Sequence, residues 1–385
     1  MFSVVETPAF ILDETSLASN LMRMRDVGIR CDCRMLYSVK ALGLTNVLYA
    51  AGNILDGYSV SSLYEARLAR DSSQEASLVC FVSPVCRHSD IPEIASICDR
   101  MTVNSVSQFH KVVSQVGNKC DIGIRVNPQL SFLLDHRYDP CRPNSKAGVP
   151  LLEFCKAFKF QPEKFSRLHG LHFHSNCDSE DVLQLIAVLK RIEVAFGEDL
   201  GRFRWLNLGG GYLFSSDDSM ELLADAIAEL RLQFGMEIVM EPGAAISRSA
   251  GCLVSTVEDI LEGDEGVIAI LDTTVNHWPE VFEYQFEPDV EGHVDDGPFT
   301  YQLAGCSCLA GDLFGVYSFN EPLEIGSRVV FRNAGAYSIV KAHMFNGINL
   351  PNIYTITEAG ELVLVKRFTY KDFTSRCGVD TRAVV

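Results

Sequence analysis

From residue 30 to 244, short β-rich apolar runs alternate with stretches in which apolar residues recur every three to four positions. The runs are RMLYSV (34–39), GYSV (57–60), LVCFV (78–82), MTV (101–103), DIGIRV (121–126), HGLHFH (169–174), RWLNL (204–208) and EIVM (237–240). Between them, SSLYEARLAR (61–70), DIPEIASIC (90–98), DVLQLIAVLKRIEVAF (181–196) and SMELLADAIAELRLQF (219–234) carry the helical period. Eight strand-then-helix units predict a (β/α)8 TIM-like barrel, whose functional residues sit at the carboxyl ends of the strands. Lys40, His174, Gly209 and Glu241 all fall at such ends.

Beyond about residue 245 the pattern becomes strands without long helices: CLVSTVEDI, GVIAILD, FTYQLAG, SRVVFRN, NIYTITE and ELVLVKRF. This predicts a second, all-β domain, a sandwich or barrel-like sheet. The opening FSVVE is also strand-like, and such a start pairs with a later sheet. The barrel is therefore expected over 12–244 and the β domain over 1–11 plus 245–385. The least regular stretch, 127–150, reads as a long loop over a site.

Composition changes the picture in two ways. With 33 Lys+Arg against 50 Asp+Glu, the net charge of −17 makes a surface that repels nucleic acid and acidic membranes and attracts cations. The thirteen cysteines are odd in number, scattered, and form no CxxC pair. Cys31/Cys33 and Cys306/Cys308 fit neither zinc nor redox spacing, so a reduced, cytoplasmic protein is expected. MFSVVETPAF lacks a basic start and carries Glu6, which argues against a signal peptide, and no apolar run is long enough to span a bilayer.

Lys40, then Gly209, Gly210 and Gly211, then Glu241 in MEPGAA follow the order amine, phosphate cradle, carboxylate, which is what a pyridoxal 5'-phosphate site needs. The aldehyde of that cofactor requires an easily deprotonated lysine, and its phosphate requires backbone N–H groups that approach closely. A carboxylate beside the pyridine nitrogen keeps it protonated, which favours decarboxylation. His172 and His174 alternate on one strand face; with no third ligand at metal spacing, His174 is expected to stack on a flat ring. In GCSCLAGD, Cys308 offers a proton for the substrate α-carbon and Asp312 a partner for a substrate amine, while Tyr337 in NAGAYS offers a hydroxyl to phosphate. Taken singly, each has a plainer reading: a solvated lysine, a tight barrel turn, a satisfied core histidine, a small buried cysteine or a turn aspartate.

Together, YSVK, HFH, LGGGY, EPG, CLAGD and GAY resemble the fold III pyridoxal phosphate decarboxylases of amino acids, the group with ornithine and diaminopimelate decarboxylases. Within it the similarity is greatest to the carboxynorspermidine/carboxyspermidine decarboxylases, through VSSLYEARLAR, YDPCRPNSKAG, LDTTVNHWPEVFE, CLAGDLFGVY and FNGINLPNIY, over essentially the whole chain. The resemblance implies that Lys40 carries the cofactor, His174 stacks on its ring, Gly209 to Gly211 and Tyr337 hold its phosphate, and Glu241 faces its ring nitrogen. Arg125 resembles an arginine near the cofactor steadied by an acid, here Glu65. Cys308 and Asp312 resemble the pair that one subunit lends to its partner's site in a homodimer. Three departures stand out: Ala244 follows EPG where relatives carry arginine, Ser59 replaces an aspartate, and HSNC replaces HxGS, leaving Ser175 or Cys177 in place of a phosphate-binding serine.

The expected activity is decarboxylation of carboxynorspermidine or carboxyspermidine to norspermidine or spermidine. An alternative is a relative acting on ornithine, lysine, arginine or diaminopimelate, of which the last fits poorly with Asp312. A non-catalytic homologue that merely binds the cofactor is the other alternative. One methylene separates the two triamines, worth only about 1 to 3 kcal/mol of discrimination, so the sequence does not rank them.

Overall fold

The computed structural model describes residues 2–73, 77–215, 219–264 and 266–378. The chain divides into two compact units, Met1–Ala18 with Ser247–Val385, and Ser19–Ile246. The division falls at 18/19 and 246/247, where the sequence pattern placed it at 11/12 and 244/245.

The first strand, β1 (Ala9–Asp13), belongs to the sheet unit, and the long helix α1 (Glu14–Arg30) follows it. In the Ser19–Ile246 unit, β2 (Arg34–Ser38), β3 (Gly57–Val60), β4 (Leu78–Val82), β5 (Arg100–Val103), β6 (Asp121–Asn127), β8 (Leu168–His172), β9 (Trp205–Asn207) and β10 (Glu237–Met240) match the eight expected runs. A two-residue β7 (Val149–Pro150) pairs only with β6. All the strand pairs are parallel, and the pairings of β10 with β2 and of β5 with β6 close the sheet into a barrel. Helices α2 (Thr45–Ile54) to α8 (Met220–Phe234) lie between successive barrel strands. Serines and an aspartate just ahead of the periodic apolar residues start several of them. Ser62 accepts the Glu65 N–H at 3.1 Å and Ser105 the Gln108 N–H at 3.2 Å, while Asp181 accepts that of Leu183 at 2.9 Å.

One large ring decides which small residues the barrel needs. A Cβ at Gly123 or Gly170, on β6 and β8, would lie 2.1 Å from the ring of Trp205. Both strands therefore carry glycine where the indole lies across them, and the Arg100 guanidinium stacks 5.2 Å from the ring centroid. Arg100 is in turn paired with Glu237 at 2.7 Å. These residues sit at the amino-terminal halves of their strands, which leaves the carboxyl ends to the candidate site.

The sheet unit holds β1, β11 (Gly251–Gly263), β12 (Gly266–Leu271), β13 (Phe299–Ala304), β14 (Leu313–Phe319), β15 (Arg328–Phe331), β16 (Asn352–Ile356) and β17 (Leu362–Lys366). Their order is β14-β13-β12-β11-β1-β16-β17, with β15 on β11. A core of Leu253, Val257, Leu271, Trp278, Phe314 and Phe331 fills it. Two expectations are corrected. The strand near the start is residues 9–13, after Pro8, rather than FSVVE, whose Phe2–Val4 form a 3-10 turn. And β14, read only as the tail of a chemical motif, is a full strand paired along β13.

Candidate active site

Lys40 follows the last residue of β2, on the 3-10 turn Val39–Ala41. Its side chain is accessible, yet protein surrounds the amine closely enough that desolvation dominates and lowers its pKa. The Arg125 charge adds to the lowering, while Glu241 and Glu65 oppose it. The result is the readily deprotonated amine that addition to an aldehyde needs.

Glu241 stands one residue past β10 and is 6% exposed. Its Oε1 accepts the Asn207 Nδ2–H at 2.7 Å, and His172 Nε2 approaches Oε2 at 3.5 Å, an electrostatic approach rather than a formed hydrogen bond. Burial alone would raise the carboxyl pKa. His172, the Asn207 hydrogen bond and the Lys40 charge outweigh it and hold Glu241 below its ordinary value, so the group is a carboxylate. His172 is itself held below its usual pKa by burial.

His174 lies past the end of β8 and is half-buried. Its Nδ1 accepts the Gly210 N–H at 3.1 Å, which places the ring proton on Nε2 and makes the imidazole neutral. Desolvation, then the charges of Lys40 and Arg125, push its pKa well down, in agreement. Below it, the expected loop does pack here: the Cys141 thiol donates to the His174 carbonyl at 3.7 Å.

The glycine turn needs the largest correction. Gly209 donates to Asn207 Oδ1 at 2.9 Å and Gly210 donates to His174 Nδ1, so two of the three N–H groups expected to cradle phosphate are already used by the protein. Among the described residues only the Gly211 N–H of the three has no partner, at φ +92°. A Cβ at 209, 210 or 211 would meet a backbone oxygen at 2.4, 2.3 or 2.0 Å, so packing of the turn against Phe173, Glu241 and Asn176 itself requires glycine.

Other expected residues fall as follows. Arg125, on β6, has no ion pair with Glu65 among the described residues; the Glu65 carboxylate instead accepts the Ser61 N–H at 2.6 Å. Ser175 is fully buried and shares a hydrogen bond of 3.0 Å with the Tyr212 hydroxyl, while Cys177 is half-buried. Ser59 is buried in the sheet beside Ser38, and Ala244 opens a four-residue helix.

Cys308, Asp312 and Tyr337 belong to the sheet unit. Cys308 is exposed, and its N–H donates to Asn346 Oδ1 at 2.9 Å. Asp312 does not present a free carboxylate to a substrate amine: it is 3% exposed and accepts from Val275 N–H at 2.7 Å, Ser307 N–H at 2.9 Å and the Ser307 hydroxyl. Its place is beneath the Cys306–Cys308 turn, holding it. Tyr337 is half-buried in the turn after β15, with φ 56°. Pattern reading passed over Asn207, and weighed His172 only beside His174 although it is His172 that faces Glu241. The signal for both was a polar side chain inside an apolar strand run, WLNL and GLHF.

The family profile described as pyridoxal-dependent decarboxylase, pyridoxal binding domain, matches residues 16–248. The chain belongs to the pyridoxal-dependent decarboxylases. The carboxynorspermidine/carboxyspermidine decarboxylase of Campylobacter jejuni is 32% identical to it over 391 residues, covering 97% of this chain and 99% of that protein. The carboxyaminopropylagmatine decarboxylase of Synechocystis is 34% identical over 382 residues, covering 98% and 96%. The crystal structure of carboxynorspermidine decarboxylase complexed with norspermidine, from Campylobacter jejuni, matches with a TM-score of 0.86 at 31% identity, covering 97% and 100%. Diaminopimelate decarboxylase from Helicobacter pylori, at 17% identity and TM-score 0.83, shares the fold.

The residues of this decarboxylase fit pyridoxal phosphate on their own chemistry. A deprotonatable amine, a buried carboxylate kept ionised, a neutral imidazole and an unpartnered N–H at Gly211 all stand at the carboxyl ends of the barrel strands. No helix among the described residues is long and apolar enough to cross a membrane.

Proposed function

We propose that this pyridoxal-dependent decarboxylase acts on carboxynorspermidine and carboxyspermidine, yielding norspermidine or spermidine and carbon dioxide in polyamine biosynthesis. The observation that carries the chemistry is the carboxylate of Glu241, buried and held ionised by His172 and the Asn207 hydrogen bond, in the same barrel end as the lowered-pKa Lys40. When bound, pyridoxal phosphate supplies an aldehyde that links to amines and a ring that takes up the electron pair left by departing carbon dioxide. Lys40 would hold the aldehyde and yield it to the substrate amine. Glu241 would keep the ring nitrogen protonated, and neutral His174 would pack on the ring. The Gly211 N–H would receive the phosphate, with the Arg125 cation in the same barrel unit. In the substrate the bond from the α-carbon to the carboxylate would break with release of carbon dioxide, and a proton from the Cys308 thiol of a second copy, or from water, would replace the lost group on that carbon.

Cys308 is exposed on a turn braced by Asp312 and Asn346, which suits a residue lent to the site of a second copy, so the active unit is a homodimer with shared sites. The net charge of −17 favours a polycationic substrate. The scattered cysteines, with no CxxC pair, suit a reducing, cytoplasmic setting.

A second reading rests on the 34% identical carboxyaminopropylagmatine decarboxylase, whose substrate ends in a guanidinium rather than an ammonium. Incubating the holoenzyme separately with carboxynorspermidine, carboxyspermidine, carboxyaminopropylagmatine, ornithine and diaminopimelate, and measuring carbon dioxide, decides between them. Turnover led by the two triamines supports the proposal. Turnover led by the guanidino compound favours the second reading, and ornithine or diaminopimelate leading overturns both.

A further inference from the structure

We infer that Asn207 is a positioning residue that locks the carboxylate of Glu241 to the glycine turn, so that the two ends of the cofactor site are set by one amide. The inference rests on the pyridoxal phosphate reading above, in which Glu241 faces the ring nitrogen and the turn ends at the phosphate.

Asn207 is the last residue of β9 and 2% exposed. Its orientation follows from its partners. The Gly209 N–H can only donate, so Oδ1 must face it at 2.9 Å, and Nδ2 must then face Glu241 Oε1, at 2.7 Å. The circuit closes through the backbone, because the Glu241 N–H donates to the Gly209 carbonyl at 2.8 Å. Asn207, Gly209 and Glu241 thus form a ring of three hydrogen bonds across the ends of β9 and β10. An aspartate at 207 would accept from Gly209 but, when ionised, would set a second negative charge against Glu241. A leucine would satisfy neither partner. Only an amide both accepts from the turn and donates to the acid without having to hold a titratable proton.

The charges around this ring are few. His172 faces the other Glu241 oxygen from β8, Lys40 stands on the turn after β2, and Arg125 comes from β6. Cys80 on β4 is held neutral by burial, its thiol pKa raised well above the ordinary value. In Asn207→Asp, the two carboxyls can restore the wild-type pattern only by sharing one proton, with protonated Asp donating to Glu241. That proton is lost as pH rises, whereas wild-type Asn207 does not titrate.

The test is pyridoxal phosphate binding to the apo forms of wild type, N207D and N207L, read by visible absorbance from about pH 6 to about pH 9, with circular dichroism as the folding control. We expect N207L to bind at least about ten-fold more weakly at every pH, since a hydrogen bond to a charged group is lost. N207D should bind within about three-fold of wild type at the acid end and lose about ten-fold or more toward the alkaline end, where wild type changes far less. If N207L fails to fold, the near-isosteric N207D still decides through its pH profile. Wild-type-like affinity and pH dependence in N207D overturns the inference while the cofactor reading stands. A wild-type protein that does not bind pyridoxal phosphate overturns both.

Discussion

The Ser38 N–H donates to the Pro242 carbonyl at 2.9 Å, so the strand end that carries Lys40 is stapled to the turn that carries Glu241. The staple leaves little room. A Cβ at Gly243 would come within 3.0 Å of the Ala41 Cβ and 3.1 Å of the Ser38 Cβ. Gly243→Val therefore pushes the lysine turn away from the acid. We predict a pyridoxal phosphate dissociation constant about ten-fold or more above wild type, measured by titrating the apo protein, because over-packing of this size costs about 1 to 3 kcal/mol.

The lowered pKa of Lys40 makes a kinetic prediction. Cofactor loading needs the neutral amine, so its rate in the apo protein should rise with pH and level off below 10.5, the ordinary lysine value. Glu241 opposes the lowering, so in Glu241→Gln the plateau should begin at still lower pH. Stopped-flow absorbance gives both profiles. A wild-type rate still climbing steeply at the ordinary value contradicts the account.

Glu241→Gln also removes the charge that keeps the ring nitrogen protonated, and turnover should fall by about 100-fold or more. Stability offers a second readout. The folded-state pKa of Glu241 is below its unfolded value of 4.5, so its ionised form stabilises the fold above that value, and the contribution is lost as pH falls through the folded-state pKa. The melting-temperature gap between wild type and the variant should therefore be widest near neutral pH and narrow in acid.

Much of this was legible in the chain and some of it was not, for identifiable reasons. Barrel strands buried on both faces stand out as apolar runs, and Lys40 and Glu241 stand out because charge directly after such a run is costly unless it is used. Asn207 showed only as a polar side chain in an apolar run, because its acid partner, thirty-four positions away, meets it only when β9 and β10 pair. Folding also consumes the Gly209 N–H, on the nearby Asn207, and the Gly210 N–H, on His174 past β8, which a glycine run by itself advertises as free. Asp312 was misread for the opposite reason: a carboxylate in a small-residue loop looks available until the loop folds around it, bringing Val275 from thirty-seven residues away.

Asp312 and Cys308 should consequently separate in mutagenesis. Asp312→Leu strands the N–H groups of Val275 and Ser307 and should cost about 2 to 5 kcal/mol in chemical denaturation. Cys308→Ala, at an exposed position, should leave stability within about 0.5 kcal/mol of wild type while lowering turnover. Equal destabilisation by the two variants would contradict the bracing role given to Asp312.

The most direct measurement is borohydride reduction of the protein loaded with pyridoxal phosphate, followed by mass mapping of its peptides, with Lys40→Ala treated alongside. The account predicts a single pyridoxyl group on the peptide containing Lys40, and none on the folded variant. A label on a different lysine, or an equally labelled variant, would contradict it.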